Sequence, residues 1–334
     1  MSPVLDETVP DAHGGDLAAA DALFGTPAAG WLDLSTGINP WPYPVPAIPA
    51  ARWHRLPGGD DEIRAAAAQF YGVGDPDCVV AAAGSQAILQ ALPHVLRPGR
   101  VAVLGPTYAE LSRVWTQAGH AVTAARTLDD TAGATILVLA NPNNPDGRIL
   151  ARDRLVDIAT ELGRRGGWLI VDEAFADVTP ALSLAPQAGA PGLIILRSFG
   201  KFFGLAGLRL GFALAERRVA NRLRAILGPW PVSGPALEIG TAALGNRPWI
   251  DAMRRNLPAQ AHALRAALKA ARLPVIGGTA LFQLVACDDA SAIFAALGAR
   301  GIYVRRFAYE PRWLRFGLPG DAFARLQDAL AALR

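Results

Sequence analysis

From Asp60 onward the chain alternates between amphipathic stretches and short apolar runs. DEIRAAAAQFY (61–71) carries its apolar positions at helical spacing and meets a stop at Gly72. SQAILQALPHVL predicts a helix that starts right after Gly84, and 151–164 predicts another. Between such stretches lie VAVL (101–104), TILVLA (135–140), WLIVD (168–172), LIILR (193–197) and RLGFALA (209–215). Each is short and nearly all apolar, the pattern of a strand buried on both faces. Alternating strands and helices predict an α/β fold with a mostly parallel central sheet covered on both sides. Past about residue 232 the texture changes to long helices (235–245, 248–272), short strands (281–286, 302–305, 313–317) and two closing helices (289–298, 320–333). That pattern predicts a smaller α+β domain. Residues 1–50 are rich in proline and glycine and read as irregular. Within them WLDLSTGINPWPYPVP is too proline-dense for a helix or a central strand, yet too aromatic for a disordered tail. The expected division is a large domain over 46–230 and a small one from 1–45 with 231–334.

Composition narrows the classes. The chain has 334 residues, 51% of them hydrophobic, enough for one large core or a large and a smaller one. Its 32 basic and 29 acidic residues leave a net charge of +3, no nucleic-acid footprint even at a pI of about 9.1. No apolar run approaches the roughly 18 residues of a membrane span. MSPVLDETVPDAHGGD is acidic and polar, unlike a signal peptide. Cys78 and Cys287 form neither a metal-ligand spacing nor a disulfide framework. The expectation is a cytoplasmic chain with no metal, nucleic-acid or membrane partner.

Five segments carry candidate chemistry. LRSFGKFFGLAGLRLGF (196–212) sets Ser198, Lys201 and Arg209 in a glycine-rich stretch between two predicted strands. A lysine there can form an imine with an aldehyde cofactor, and a flanking hydroxyl and guanidinium can hold a phosphate. An isolated loop lysine is more often plain surface. Asp172 ends a strongly apolar strand, where a carboxylate is costly to bury without a partner. A protonated pyridine nitrogen would serve; capping the next turn is the commoner use of such an Asp. LANPNNPDG (139–147) is a turn stiffened by two prolines, and an amide fixed there can bond a phenolate. In AAAGSQAIL (81–89), Gly84 and Ser85 open a helix whose free N–H groups can bind an anion. Tyr108, in LGPTYAEL, can stack on a flat ring or be a core tyrosine.

Taken in order, these segments resemble the class I/II (fold-type I) aminotransferase family: a small-residue phosphate turn, a ring-stacking aromatic, N-P-x-N-P-x-G, D-x-A-(Y/F), and S-x-x-K followed by an arginine eight residues on. The resemblance implies pyridoxal 5'-phosphate (PLP), with Lys201 as the Schiff-base lysine and Asp172 as the pyridinium partner. It gives Asn144 to the cofactor's O3', Tyr108 to its ring, and Gly84, Ser85, Gln86, Ser198 and Arg209 to its phosphate. Arg315, in WLRFGLP, matches the arginine for the substrate carboxylate. Two branches compete, the histidinol-phosphate aminotransferases and the threonine-phosphate decarboxylases of cobalamin biosynthesis. HGGD (13–16), LDLSTGINP (32–40), DEAF (172–175), the lysine segment, GPWPVSGPAL (228–237) and GIYVRR (301–306) are more similar to the second. That branch implies decarboxylation of L-threonine O-3-phosphate to (R)-1-amino-2-propanol O-2-phosphate by a homodimer. It implies substrate contacts from His13, Gly14, Gly37, Asn144, Arg305 and Arg315. Gly37 stands where the branch has an asparagine, Leu56 where the family has the tyrosine of R-Y-P, and Arg306 could substitute for Arg305. The runner-up is an aminotransferase of the histidinol-phosphate type.

Overall fold

Strands form where the apolar runs predict them, with additions. The structure, a computed structural model, describes residues 13–333; residues 1–12, part of the segment read as irregular, lie outside it. Its strands are β1 (Leu32–Leu34), β2 (Val79–Ala82), β3 (Arg100–Leu104), β4 (Ala121–Ala125), β5 (Ile136–Ala140), β6 (Trp168–Asp172), β7 (Leu193–Ser198), β8 (Gly211–Ala215), β9 (Val275–Thr279), β10 (Phe282–Ala286), β11 (Ile302–Arg306) and β12 (Trp313–Gly317). Contacts divide the chain into one unit over Trp41–Leu257 and another that joins the chain up to Pro40 with Pro258 onward. The division read from the sequence, 46–230 against 1–45 with 231–334, draws both boundaries at other residues.

The larger unit holds a seven-stranded sheet in the order β2-β8-β7-β6-β5-β3-β4. Strands β4, β3, β5, β6 and β7 run parallel, while β8 is antiparallel to both β7 and β2. Strand β2 therefore points the same way as the parallel set. Strands β2, β5 and β8 are buried along their whole length, because helices cover both faces. Ile88 and Leu92 of the helix Ser85–Val95, Trp115 of Glu110–Gln117 and Leu223 of Arg217–Leu227 pack into one core with Val80, Val103, Val138 and Ile170. Burying each such side chain contributes roughly 1.5–3 kcal/mol. The predicted helix over Asp61–Tyr71 forms, with Asp61 and Glu62 in its first turn and Gly72 left-handed at its end. The proline-rich stretch packs as its aromatics predict: Tyr43 is buried, its ring 5.3 Å from that of Trp249.

This topology places the chemistry. In a parallel sheet the C-terminal ends of all strands share one edge, where ligands of open α/β folds bind. Residues just beyond β2, β3, β5, β6 and β7, and just before β8, therefore gather there. They are Gly84 with Ser85, Tyr108, Asn144, Asp172, Ser198 with Lys201, and Arg209.

The smaller unit holds a five-stranded sheet, β1-β11-β12-β10-β9, in which β1 is parallel to β11 and the remaining pairs are antiparallel. The helix Leu17–Phe24 packs on Ala290–Gly298, with the Phe24 and Phe294 rings 5.4 Å apart. This helix and β1 correct the reading of residues 1–50 as irregular. LAAADALF is apolar on nearly every face and shows no stripe, and three residues are too few to show alternation.

Candidate active site

Asp172 and Lys201 come from neighbouring strand ends. Asp172 closes β6 opposite Leu196 of β7, and the short helix Phe199–Phe202 that follows β7 carries Lys201. The Asp172 Oδ1 accepts the Ala174 N–H at 3.0 Å. Burial pushes this carboxyl up to about 6, against the opposing pull of that hydrogen bond and of the Lys201 charge. A carboxyl so held gains most from a cationic N–H partner. Lys201 is half-buried, its Nζ 6.0 Å from the centre of the Phe175 ring.

The helix Ser85–Val95 opens at the same edge with no side-chain cap and no acidic residue in its first turn. Its leading N–H groups and its dipole suit an anion. Gly84, at φ 84°, turns the chain into this helix, and a Cβ there would lie 2.7 Å from Nη2 of Arg209. The guanidinium thus hangs over the helix opening. Ser198 joins it from β7, paired in register with Gly211 of β8. Cation, hydroxyl and helix terminus together are groups that could hold a phosphate.

Gln86 has its side chain engaged elsewhere. Its Nε2 donates to Glu110 Oε2 at 3.1 Å and its Oε1 accepts from the Tyr108 hydroxyl at 3.3 Å. The side chain is spent on those two neighbours, so what Gln86 offers a phosphate is its backbone N–H. Tyr108 packs half-buried against the core. In the proline-stiffened turn, Asn141 exchanges bonds with Leu150, and Asn143 donates to Pro106 and Asp146. Asn144, the third asparagine of that turn, is half-buried.

One cluster escaped the sequence reading. Arg197, 2% exposed, pairs with both Glu173 and Asp177, donates to Ser183 Oγ at 3.2 Å, and stacks 4.4 Å from the centre of the Tyr71 ring. Glu173 follows Asp172 and Arg197 precedes Ser198, so the pair ties the ends of β6 and β7 from behind. The signal was present: an arginine and a second carboxylate beside apolar runs that should carry neither.

In the smaller unit, Arg305 of β11 stands opposite Arg315 of β12. Burial first, then the Arg305 charge, pushes the Arg315 guanidinium down to about 10. Like charges directly opposite on a sheet are destabilising, and an anion between them reverses the sign. Arg306 faces elsewhere, its guanidinium 4.0 Å from the centre of the Phe294 ring. Arg315 Nη2 donates to the Ser35 carbonyl at 2.8 Å. Gly14 and Gly37 lie on either side of Ser35 in sequence; Gly37 is buried and His13 exposed. Leu56, in place of the family's tyrosine, is 67% exposed.

Comparison with known proteins bears on the family and the fold. The family Aminotransferase class I and II matches residues 52–333. A threonine-phosphate decarboxylase of Pseudomonas aeruginosa is 47% identical over 330 residues, 96% of this chain and 98% of that one. Another, from a Sinorhizobium species, is 44% identical over 333 residues, 98% of this chain and 99% of that one. The solved histidinol-phosphate aminotransferase of Clostridium acetobutylicum has a TM-score of 0.78 at 18% identity, covering 90% of this chain and 98% of its own, a likeness of fold. The sheet order, the lysine segment and these matches agree: this chain belongs to the aminotransferase class I and II family.

Proposed function

We propose that this chain decarboxylates L-threonine O-3-phosphate to (R)-1-amino-2-propanol O-2-phosphate, the aminopropanol step of cobalamin biosynthesis, using pyridoxal 5'-phosphate. The observation that carries the choice of substrate is the facing pair Arg305 and Arg315, two cations suited to a substrate with two anions. The near-full-length relatives named threonine-phosphate decarboxylase support the same choice.

The residues at the sheet edge fit the cofactor. The Arg209 guanidinium, packed against Gly84 at the opening of the helix Ser85–Val95, suits its phosphate. The Asp172 carboxyl, raised by burial, suits its ring nitrogen. When bound, the cofactor supplies an aldehyde for the substrate's amino group and a ring that takes up the electrons left by departing carbon dioxide. Asp172 keeps a proton on the ring nitrogen. Tyr108 would pack against the ring, and Asn144 would hydrogen-bond its phenolic oxygen. Arg315 grips the substrate carboxylate and Arg305 its phosphate, with His13, Gly14 and Gly37 contributing to the same anions. Which bond at Cα breaks depends on how these grips turn the substrate. Lys201 returns the proton to Cα once carbon dioxide has left.

We further propose a cytoplasmic homodimer. No described helix is long and apolar enough to cross a membrane. The deciding experiment incubates the holoenzyme with threonine phosphate and measures carbon dioxide and aminopropanol phosphate. Their stoichiometric release is expected. Glutamate from histidinol phosphate and 2-oxoglutarate, without carbon dioxide from threonine phosphate, would establish the aminotransferase reading instead.

A further inference from the structure

Ser35 has no place in the roles assigned so far, yet it is fully buried in the smaller unit and touches Arg315. Its hydroxyl donates to Asp33 Oδ1 at 2.6 Å, and its own N–H reaches the same oxygen at 2.8 Å. The hydroxyl oxygen in turn accepts the Gly15 N–H at 2.7 Å. Its carbonyl takes Arg315 Nη2 at 2.8 Å. One residue therefore fastens two things: the His13–Gly15 segment through its side chain, and the Arg315 guanidinium through its backbone. The fit is close, since a Cβ on Gly14 would lie 2.3 Å from the Ser35 carbonyl oxygen. Asp33 completes the arrangement. With two donors from Ser35 on one oxygen, it fixes the hydroxyl's proton, so the lone pairs point at Gly15. Its negative charge also steadies the Arg315 cation.

We infer that Ser35 is a positioning residue that determines specificity: by clamping the His13-Gly14-Gly15 segment beside Arg315, it makes that segment part of the substrate's anion site. The consequence is a preference for a substrate carrying a second anion. Arg315 alone suffices for a carboxylate, whereas the clamped segment adds backbone N–H groups, and the His13 side chain, for a phosphate. The inference rests on the proposed reaction for its ligand and on the hydrogen bonds alone for its geometry.

Ser35→Ala separates the two functions, because it removes the hydroxyl and keeps the carbonyl that binds Arg315. The Ser35 N–H still satisfies Asp33, so the fold is expected to survive. In the holoenzyme, amide hydrogen exchange at Gly15 should quicken by roughly tenfold, the loss of one hydrogen bond. Inorganic phosphate should slow that exchange in the wild type and fail to do so in Ser35→Ala. With threonine phosphate the KM should rise by roughly tenfold, the loss falling on KM more than kcat, and the KM for unphosphorylated threonine should rise less. Gly14→Ala, which wedges the segment away from an unaltered Ser35, should move the exchange and the KM in the same directions. Unchanged exchange in both variants, or equal KM losses on both substrates, would overturn the inference. A wild type that releases no carbon dioxide from threonine phosphate would sink the proposed reaction, and the exchange experiment with inorganic phosphate would still decide the role of Ser35.

Discussion

Asp172 ends a strand whose Leu169, Ile170 and Val171 are fully buried, and that setting governs its protonation. In an unfolded chain the carboxyl titrates near 3.8; in the folded, cofactor-free protein burial raises it to about 6. Between those values the folded form holds more protons than the unfolded one, so stability falls as pH rises and levels off above about 6. The full difference is on the order of 3 kcal/mol. Asp172→Asn should remove this pH dependence, gaining stability over the wild type at pH 8 but not at pH 4, as urea unfolding of the cofactor-free proteins would measure. The same substitution should weaken turnover by the holoenzyme, because a neutral amide cannot hold the ring proton. Arg315→Ala should lower kcat/KM by roughly two to four orders of magnitude, since breaking a buried charge pair costs about 3–5 kcal/mol. Arg305→Ala should hurt threonine phosphate more than threonine; equal losses would move Arg305 off the phosphate. The placement of Asp172 and Arg209 beside strand ends was legible in the sequence because each is a polar residue next to an apolar run, and that of Lys201 because it sits in a glycine-rich stretch between two such runs. The sequence put the substrate contact on Arg305, with Arg306 as a substitute, but did not say which of the two stands opposite Arg315. In a strand successive side chains point to opposite faces, and only the β11–β12 register reveals which face Arg315 shares.

Among elements, the helix Ser85–Val95 shows what composition conveys and what it omits. Its start after Gly84 follows from the glycine and from the apolar stripe that comes next. Nothing in the sequence says that Arg209 rests on Gly84, because that contact comes from β8 lying next to β2. Gly84→Ala tests it directly. The added Cβ would sit 2.7 Å from the guanidinium, in a backbone conformation that favours glycine. Cofactor affinity should drop by roughly tenfold or more, as the displaced arginine loses a charge-assisted bond; unchanged affinity by spectroscopic titration would remove Arg209 from the proposed phosphate site. The strands with unbroken apolar runs, β5, β6 and β7, were legible to within a residue or two. Strands β4 and β9 were not: AVTAA and VIGGT are short, partly exposed and without clear alternation. The Arg197–Glu173–Asp177 cluster was missed for a related reason. Charges paired in a core leave no periodic trace, and only their improbable neighbours betray them.

For the whole molecule, the larger unit leaves Trp53, Leu56 and Trp230 at 66%, 67% and 55% exposed. Contiguous apolar patches on a surface mark contact sites, and these residues are where contact with a second copy of the chain is to be tested. Light scattering at micromolar concentration should give twice 35.1 kDa. Trp53→Ser with Trp230→Ser should shift that mass toward the monomer; a fully active monomeric wild type would contradict the dimer. The alternation of strands and helices disclosed the sheet's class, but not its order, in which β2 (Val79–Ala82) neighbours β8 (Gly211–Ala215). That adjacency bears on how the protein is made. One wall of the proposed phosphate site, at Ser85, leaves the ribosome long before the other, at Arg209. At usual translation speeds the interval is on the order of ten seconds. During it the nascent chain holds an open helix terminus with no arginine to close over it. Capture of the proposed cofactor is therefore expected to await β8, the last strand of that sheet to be made.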